Sequence, residues 1–267
     1  MICKQIKCFI SIVFVLIMIQ CRTQTSIRVA MSQSNEMVYA PTLIIDSCLT
    51  EHQFEGKGNN ELIRVEISGG FEKVPQWAFA IVPTLEEVNL NPDVKVLDDN
   101  AFFSCRNLSK INLNDVEVIG ESCFKFSALE DVNLTGAQNI KEFAFSNCLK
   151  LRKIKFSDRL KTIGEFAFSG DSALVNCHIP SGDIGASAFM GCTNMEQLSL
   201  GKVTSIGAAA FLDCTSLAEV IIPSTIKEIG NEAFSGCINL KEVIVNSHDT
   251  KIADNAFSNN VVITYKK

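Results

Sequence analysis

The chain has 267 residues, is 47% hydrophobic and 20% charged, and carries a formal net charge of −6. That apolar share supplies a sizeable core and excludes a mostly disordered chain, which would be poor in apolar residues and rich in charge. The acidic balance argues against nucleic-acid binding, which draws on a basic surplus.

Taken in chain order, the first feature is the apolar run Phe9–Ile19, broken only by Ser11, with Lys4 and Lys7 before it and Gln20, Arg22, Thr23, Gln24 and Thr25 behind it. A membrane-spanning helix needs roughly 20 apolar residues. The shorter run with its basic flank predicts a secretory signal over residues 1–25, with an uncleaved anchor as the alternative. No second span is expected, and the end, Ile263-Thr264-Tyr265-Lys266-Lys267, offers no apolar anchoring tail. Residues 26–61 hold Pro41, Cys48 and a polar stretch, Glu51–Asn60, with Gly56 and Gly58. They read as an N-terminal cap and loop, with Thr42–Ile45 as a short capping strand.

Residues 62–267 repeat. The stretch Ile206–Ile222, I-G-A-A-A-F-L-D-C-T-S-L-A-E-V-I-I, recurs with substitutions to the C-terminus. Counted from its Phe, the positions are Phe79, Phe102, Phe124, Phe145, Phe168, Phe189, Phe211, Phe234 and Phe257, at intervals of 21 to 23. A fixed period of that length means stacked supersecondary units, about nine of them here. Leu-x-x-Ile-x-Ile follows the Phe in most units, as in Leu217-Val220-Ile222 and Leu240-Val243-Val245. Its alternation predicts one strand per unit with a single buried face. Such a strand is too short to stand alone, so the units must stack in parallel into a curved sheet. Short turns or 3₁₀ segments carry the Ala-Phe step on the other side. Glycine after an apolar residue, as at Ile163-Gly164 and Ile206-Gly207, is expected to allow a tight bend. The resulting fold class is a leucine-rich-repeat solenoid with a C-terminal capping strand.

The pattern I-G-x-x-A-F-x-x-C-x-x-L-x-x-I-x-I-P resembles the repeat of the BspA-like leucine-rich-repeat family. It covers residues 62–267, with Cys three residues after Phe at Cys105, Cys148, Cys192, Cys214 and Cys237. Val82, Ser127, Asp171 and Asn260 depart at that position, and Cys123 replaces the Ala before Phe124. The resemblance implies a surface or secreted protein with adhesion to host cells or matrix as its role. Fold similarity alone does not fix function.

Of eleven cysteines, three (Cys3, Cys8, Cys21) lie in or beside the signal. Cysteines at one place in successive units should form a ladder of free, buried thiols, because stacked side chains point the same way and suit a disulfide poorly. Cys177 takes a strand core position; Cys48 and Cys123 have no assigned role. No metal, zinc included, and no cofactor is expected, for want of a C-x-x-C pair. Nor is the chain expected to be an enzyme. Its three histidines, His52, His178 and His248, share no metal spacing, and phosphate-binding glycine patterns and G-x-S-x-G are missing. Asp93, Asp98 and Asp99 read as a solvated acidic turn.

Recognition is left to the outward strand positions. In unit order the candidate face comprises Asn89, Lys110, Asn112, Asp131, Asn133, Lys153, Lys155, Asn176, His178, Gln197, Ser199, Glu219, Ile221, Glu242 and Ile244. Asn89, Asn112 and Asn133 form an amide row, Arg152, Lys153 and Lys155 a basic centre, and Ile221 with Ile244 an apolar end. Such a graded face suits a protein or glycan partner on another cell or in matrix better than a small molecule. Self-association through the apolar end and the strand near Val261–Tyr265 is the alternative. Sequons at Asn107 and Asn133 would, if glycosylated, obstruct the face at Asn133.

Overall fold

The computed structural model describes residues 27–30, 42–46, 48–56 and 62–266, the first of these as backbone only. The signal segment expected over residues 1–25 lies outside the described residues. In chain order the first strands are β1 (Ile27–Ala30), β2 (Thr42–Ile45), β3 (Arg64–Ile67), β4 (Lys73–Val74), β5 (Glu87–Leu90), β6 (Val96–Leu97) and β7 (Lys110–Ile111). Next come β8 (Val118–Ile119), β9 (Asp131–Leu134), β10 (Asn139–Ile140), β11 (Lys153–Phe156), β12 (Thr162–Ile163) and β13 (Asn176–Ile184). Last are β14 (Gln197–Ile206), β15 (Glu219–Ile222), β16 (Glu228–Ile229), β17 (Glu242–Val245), β18 (Lys251–Ile252) and β19 (Val262–Tyr265).

These strands build a right-through parallel solenoid. The Leu-x-x-Ile-x-Ile strands stack in parallel register, for example Asp131 on Lys153 and Glu219 on Glu242. Their alternating burial is the expected one-sided pattern, with Val132, Leu134, Ile154 and Val220 inside and Asp131, Asn133 and Lys155 outside. Thr42–Ile45 does form a capping strand, parallel to β3, and β1 pairs with it antiparallel. The described residues add a second, two-residue strand in most coils, which the sequence pattern does not reveal. These stack in parallel on their own, as at Val118–Asn139–Thr162.

A column of phenylalanines fills the space between the two stacks. From Phe79 to Phe257 successive rings stack at centroid separations of 5.0 to 5.4 Å. The column begins one coil earlier, at Phe54, 5.0 Å from Phe79 and buried. The stretch around Phe54 is thus a repeat turn in its own right. Its ring is 25 residues before the next, outside the 21–23 window, which hid it. The backbone reinforces the column. The Phe102 amide donates to the Cys123 carbonyl of the following coil, Phe124 to Ala144 and Phe145 to Ala167. Only a small side chain fits beside this spine, which is why Ala or Cys123 stands there and is fully buried.

In the turns from Phe54 to Phe234 two residues take left-handed backbone, two before and two after the column Phe. Examples are Asn100 (φ 59°) and Ser104 (φ 58°) around Phe102, and Gly191 (φ 74°) after Phe189. Gly, and less readily Asn and Asp, tolerate this; other residues, bulky ones above all, do so at a cost. Trp77, Phe126, Phe143 and Phe166 nevertheless occupy such places, and with Phe103 their half-buried rings make a second aromatic row on the turn edge. Lys125 Nζ lies 4.4 Å from the Phe143 centroid within that row. The glycines after the apolar residue have a different reason from the expected bend. At Gly164 a Cβ would meet Lys141 backbone at 2.6 Å, and at Gly207 it would meet the Ala186 nitrogen at 2.6 Å. Close approach of successive coils, not positive φ, selects Gly there.

The ladder cysteines are free and buried, as expected. Each thiol donates to the carbonyl of the preceding coil's column Phe: Cys105 to Phe79, Cys148 to Phe124, Cys192 to Phe168, Cys214 to Phe189 and Cys237 to Phe211, at 3.0 to 3.3 Å. A thiol therefore both fills the space and satisfies a carbonyl. Burial pushes the Cys105 and Cys237 thiols up to about 12. Asp171 takes one rung of this ladder and is fully buried. Its Oδ1 accepts from the Cys148 amide at 2.8 Å, and its Oδ2 has no partner. Burial drives its carboxyl well above the usual carboxylate range. Cys48, apart from the ladder, is disulfide-bonded.

Candidate binding face

The parallel register brings the outward residues into two rows across the strands. One row runs Asp131, Lys153, Asn176, Gln197, Glu219, Glu242 in direct pairing. The other pairs Glu66 with Asn89, Asn133 with Lys155, His178 with Ser199, and Ile221 with Ile244. Asn89, Lys110, Asp131, Asn133, Lys153, Lys155, Asn176, His178, Gln197, Ser199, Glu219, Ile221 and Glu242 are all exposed. Ile221 keeps 55% of its surface, while Ile244 is half-buried beside Thr264 of β19.

Asn112 departs from the expected amide row. Its Oδ1 accepts from the Leu90 amide at 2.6 Å and its Nδ2 donates to the Leu90 carbonyl at 2.9 Å. The side chain stands in for a strand neighbour, because β7 ends at Ile111 and leaves Leu90 without a backbone partner on that side. Both ends of the amide are thus committed to the fold, and the exposed amides of the row reduce to Asn89 and Asn133. The Arg64–Glu87 ion pair, 3.2 Å, ties up charge at the N-terminal end of the face. Lys153 and Lys155 form no ion pair among the described residues.

His178 Nδ1 and Ser199 Oγ share a 3.1 Å hydrogen bond on the open sheet. Nothing encloses them, and His178 reaches no carboxylate at ion-pair distance among the described residues. The acidic turn is largely spoken for: Lys73 Nζ lies 2.7 Å from Asp98, and Asp99 accepts from Lys141 and the Glu121 amide. Burial pushes the Asp99 carboxyl up, but the Lys141 and Glu121 bonds outweigh it and hold the carboxyl below its ordinary value. Among the described residues no group of three or more His, Cys, Asp or Glu is placed to hold a metal. No helix among them is long and apolar enough to cross a membrane.

The face is not continuous. From Ile179 to Ile184 the chain advances only five residues, and from Leu200 to Ile206 six, where neighbouring coils use seven, as from Phe156 to Ile163 and Ile222 to Ile229. β13 and β14 run straight from the first stack into the second and pair along their length. Corner length alone does not decide this, since the six-residue corner from Leu134 to Ile140 still turns, the Ala137 amide donating to the Leu134 carbonyl. Their neighbours turn, as at Ile226, whose amide donates to the Pro223 carbonyl. Pairing to those neighbours on the face shrinks to Lys153 with Asn176 on one side and Gln197 with Glu219 on the other. Between β14 and β15 this splay opens a cleft of about 610 Å³, whose lining includes Glu196, Ser199, Leu200, Glu219, Ile221 and Asn246. Glu196, Leu200 and Asn246 were not among the expected face residues, and no pattern within a single coil marks them.

The repeat matches the family described as BspA type leucine rich repeat region, in six copies across residues 49–175 and 138–264. The chain belongs to this family. The BspA-type array is similar in shape to solved leucine-rich-repeat proteins. One is a leucine rich cell surface protein from Faecalibacterium prausnitzii, 20% identical, covering 89% of this chain and 86% of that one, with a TM-score of 0.41. Another is the pneumococcal vaccine antigen PcpA, 18% identical over 89% of this chain and 77% of that one, with a TM-score of 0.47. A third is the leucine rich repeat protein of T. pallidum, 22% identical over 81% and 78%, with a TM-score of 0.38. No curated protein matches the chain. The family assignment rests on the repeat match, not on these superpositions.

Proposed function

We propose that this BspA-type chain is a secreted or surface-displayed recognition protein that binds a protein or glycan on another cell or in matrix through its strand face. The observation that carries this reading is the contrast between the two sides of the strands. The inward residues stay apolar from coil to coil, whereas the outward ones change from amide to basic to acidic and apolar along the stack. Broad solenoid faces with varied side chains are the usual binding surfaces of repeat proteins. Exposed Lys153 and Lys155, without ion pairs among the described residues, favour an anionic contact at the centre. The apolar run Phe9–Ile19 supports export. Adhesion is what the family resemblance adds.

The test is binding of the full chain to intact cells and matrix proteins beside a Lys153→Glu/Lys155→Glu variant. Saturable binding that the variant loses supports recognition through the strand face. A folded chain that binds no cell or matrix protein overturns it.

One observation favours self-association instead. β19 ends the first stack, and Val262, Ile263 and Tyr265 remain 61%, 38% and 39% exposed. An exposed apolar terminal strand invites pairing with another edge. Mass measured by light scattering over a concentration series decides this, and a strict monomer removes it.

A further inference from the structure

We propose that the cleft between β14 and β15 is a subsite for a lysine or arginine side chain of a partner peptide lying on the strand face. This rests on strand-face recognition and adds the chemistry of one contact. Glu196 and Glu219 sit on its wall as exposed carboxylates, and neither has an ion pair among the described residues. Asn246 also lines it, and its Oδ1 is buried without a hydrogen-bond donor. Leu200 and Ile221 supply apolar surface between these polar groups. Two carboxylates thus flank an apolar strip. Lysine and arginine match that arrangement, since each has an apolar stem and a tip that only donates.

Charge points the same way. Glu242 stands directly beside Glu219 in the next strand, so the carboxylates continue beyond the cleft. The basic pair Lys153 and Lys155 lies on β11, on the far side of β13 and β14. A peptide with a basic residue over the cleft and an acidic one over β11 would meet complementary charge at both places. A bound metal ion fits less well, because no group of three or more metal-type ligands gathers here among the described residues. The splay that makes the cleft comes from the straight course of β13 and β14 beside a neighbour that turns, so its position is built into the fold.

The experiment is fluorescence anisotropy of the full chain with fluorescein-labelled Val-Lys-Val-Lys-Val and with the same peptide carrying glutamate for lysine. The expected result is saturable binding of the lysine peptide and none of the glutamate peptide. The Glu196→Gln/Glu219→Gln variant should weaken binding at least tenfold and Ile221→Asn several-fold. Glu228→Gln removes a similar exposed charge on the second stack and should leave binding unchanged. All these side chains are exposed, and thermal melts confirm that each variant is folded. Equal binding by the double variant, equal weakening by Glu228→Gln, or competition by millimolar calcium chloride at constant ionic strength overturns the assignment. If the chain binds cells but not the lysine peptide, the cleft falls and strand-face recognition stands. If the peptide binds through Glu219 while no cell or matrix protein is bound, the cleft stands and the recognition role falls.

Discussion

Replacing Asp171 by Cys should stabilise the protein. Asp171 occupies a ladder rung that Cys148 and Cys192 hold in the coils on either side, and it is fully buried. Its Oδ2 has no partner, and a buried polar group left unpaired costs about 1–3 kcal/mol. The substitution removes that cost and loses little. The Cys148 amide that Asp171 accepts also donates to Phe145 at 3.1 Å, so it keeps a partner. A thiol at the rung gains the preceding Phe145 carbonyl, following the pattern of the other ladder cysteines. The expected gain is about 1–3 kcal/mol, at about 2–4 °C per kcal/mol for a domain of this size. pH gives an independent reading. The folded carboxyl titrates above its unfolded value because of burial. Its contribution is therefore fully present below the unfolded pKa near 3.8 and is lost as pH rises toward the folded pKa. Asp171→Asn removes this loss, so its advantage over the native chain should widen from pH 4 to pH 7, by at most about 1.4 kcal/mol for each pH unit. Urea melts followed by circular dichroism at pH 4, 5.5 and 7 measure both effects. Destabilisation by Cys, together with parallel pH profiles for the native chain and the Asn variant, would refute the reasoning.

Three further outcomes follow from the core and the face. Phe145→Ala interrupts the aromatic column between rings 5.1 Å away on either side and should cost about 3–5 kcal/mol, with a loss under 1 kcal/mol in urea melts counting against the column as the main support. The ladder thiols, buried and with Cys105 pushed up to about 12, should resist a thiol reagent at pH 8 until denaturant is added; fast stoichiometric labelling of the native chain contradicts their burial. Asn112→Ala strips two bonds from the Leu90 backbone and should lower stability by about 1–3 kcal/mol, whereas Asn89→Ala, exposed on the same row, should change it by under 0.5 kcal/mol.

The parts of the fold legible in the sequence are those set by burial. Phe, Ala, Cys and the Leu-x-x-Ile-x-Ile residues recur because each meets the same surroundings in every coil, so period and alternation report them directly. The two-residue second strands left no such trace: a single inward residue, such as Ile119 or Ile163, has no alternation to detect. Phe54 escaped because an insertion stretched its interval, although its ring stacks like the others. On the face, position alone placed Asn133, Lys153 and Lys155 correctly outward. It failed at Asn112, where the side chain replaces a missing strand bond, and at Ile244, which β19 partly covers. Both failures depend on where a neighbouring strand ends, which is a property of two coils and not of one.

The cleft illustrates how this architecture can vary a surface without disturbing its core. Changing an outward side chain alters charge at one point of a flat sheet. Running a strand straight through its corner acts differently, since the column Phe residues keep their stacking at 5.2 and 5.3 Å through Phe168, Phe189 and Phe211 while the strands above them change course. Gly201 marks how closely the two straight strands approach: a Cβ there would meet the Pro180 carbonyl oxygen at 2.3 Å. The Gly182–Asp183 bulge absorbs the remaining mismatch between β13 and β14. The splay is thus confined to the boundaries of the straight pair, at Lys153–Asn176 and Gln197–Glu219. A concave, chemically mixed site arises at a place where every individual residue, taken singly, looks like an ordinary outward strand position. In a solenoid of this kind, a strand that runs straight through its corner beside coils that turn changes the face as much as the identities of the exposed residues do.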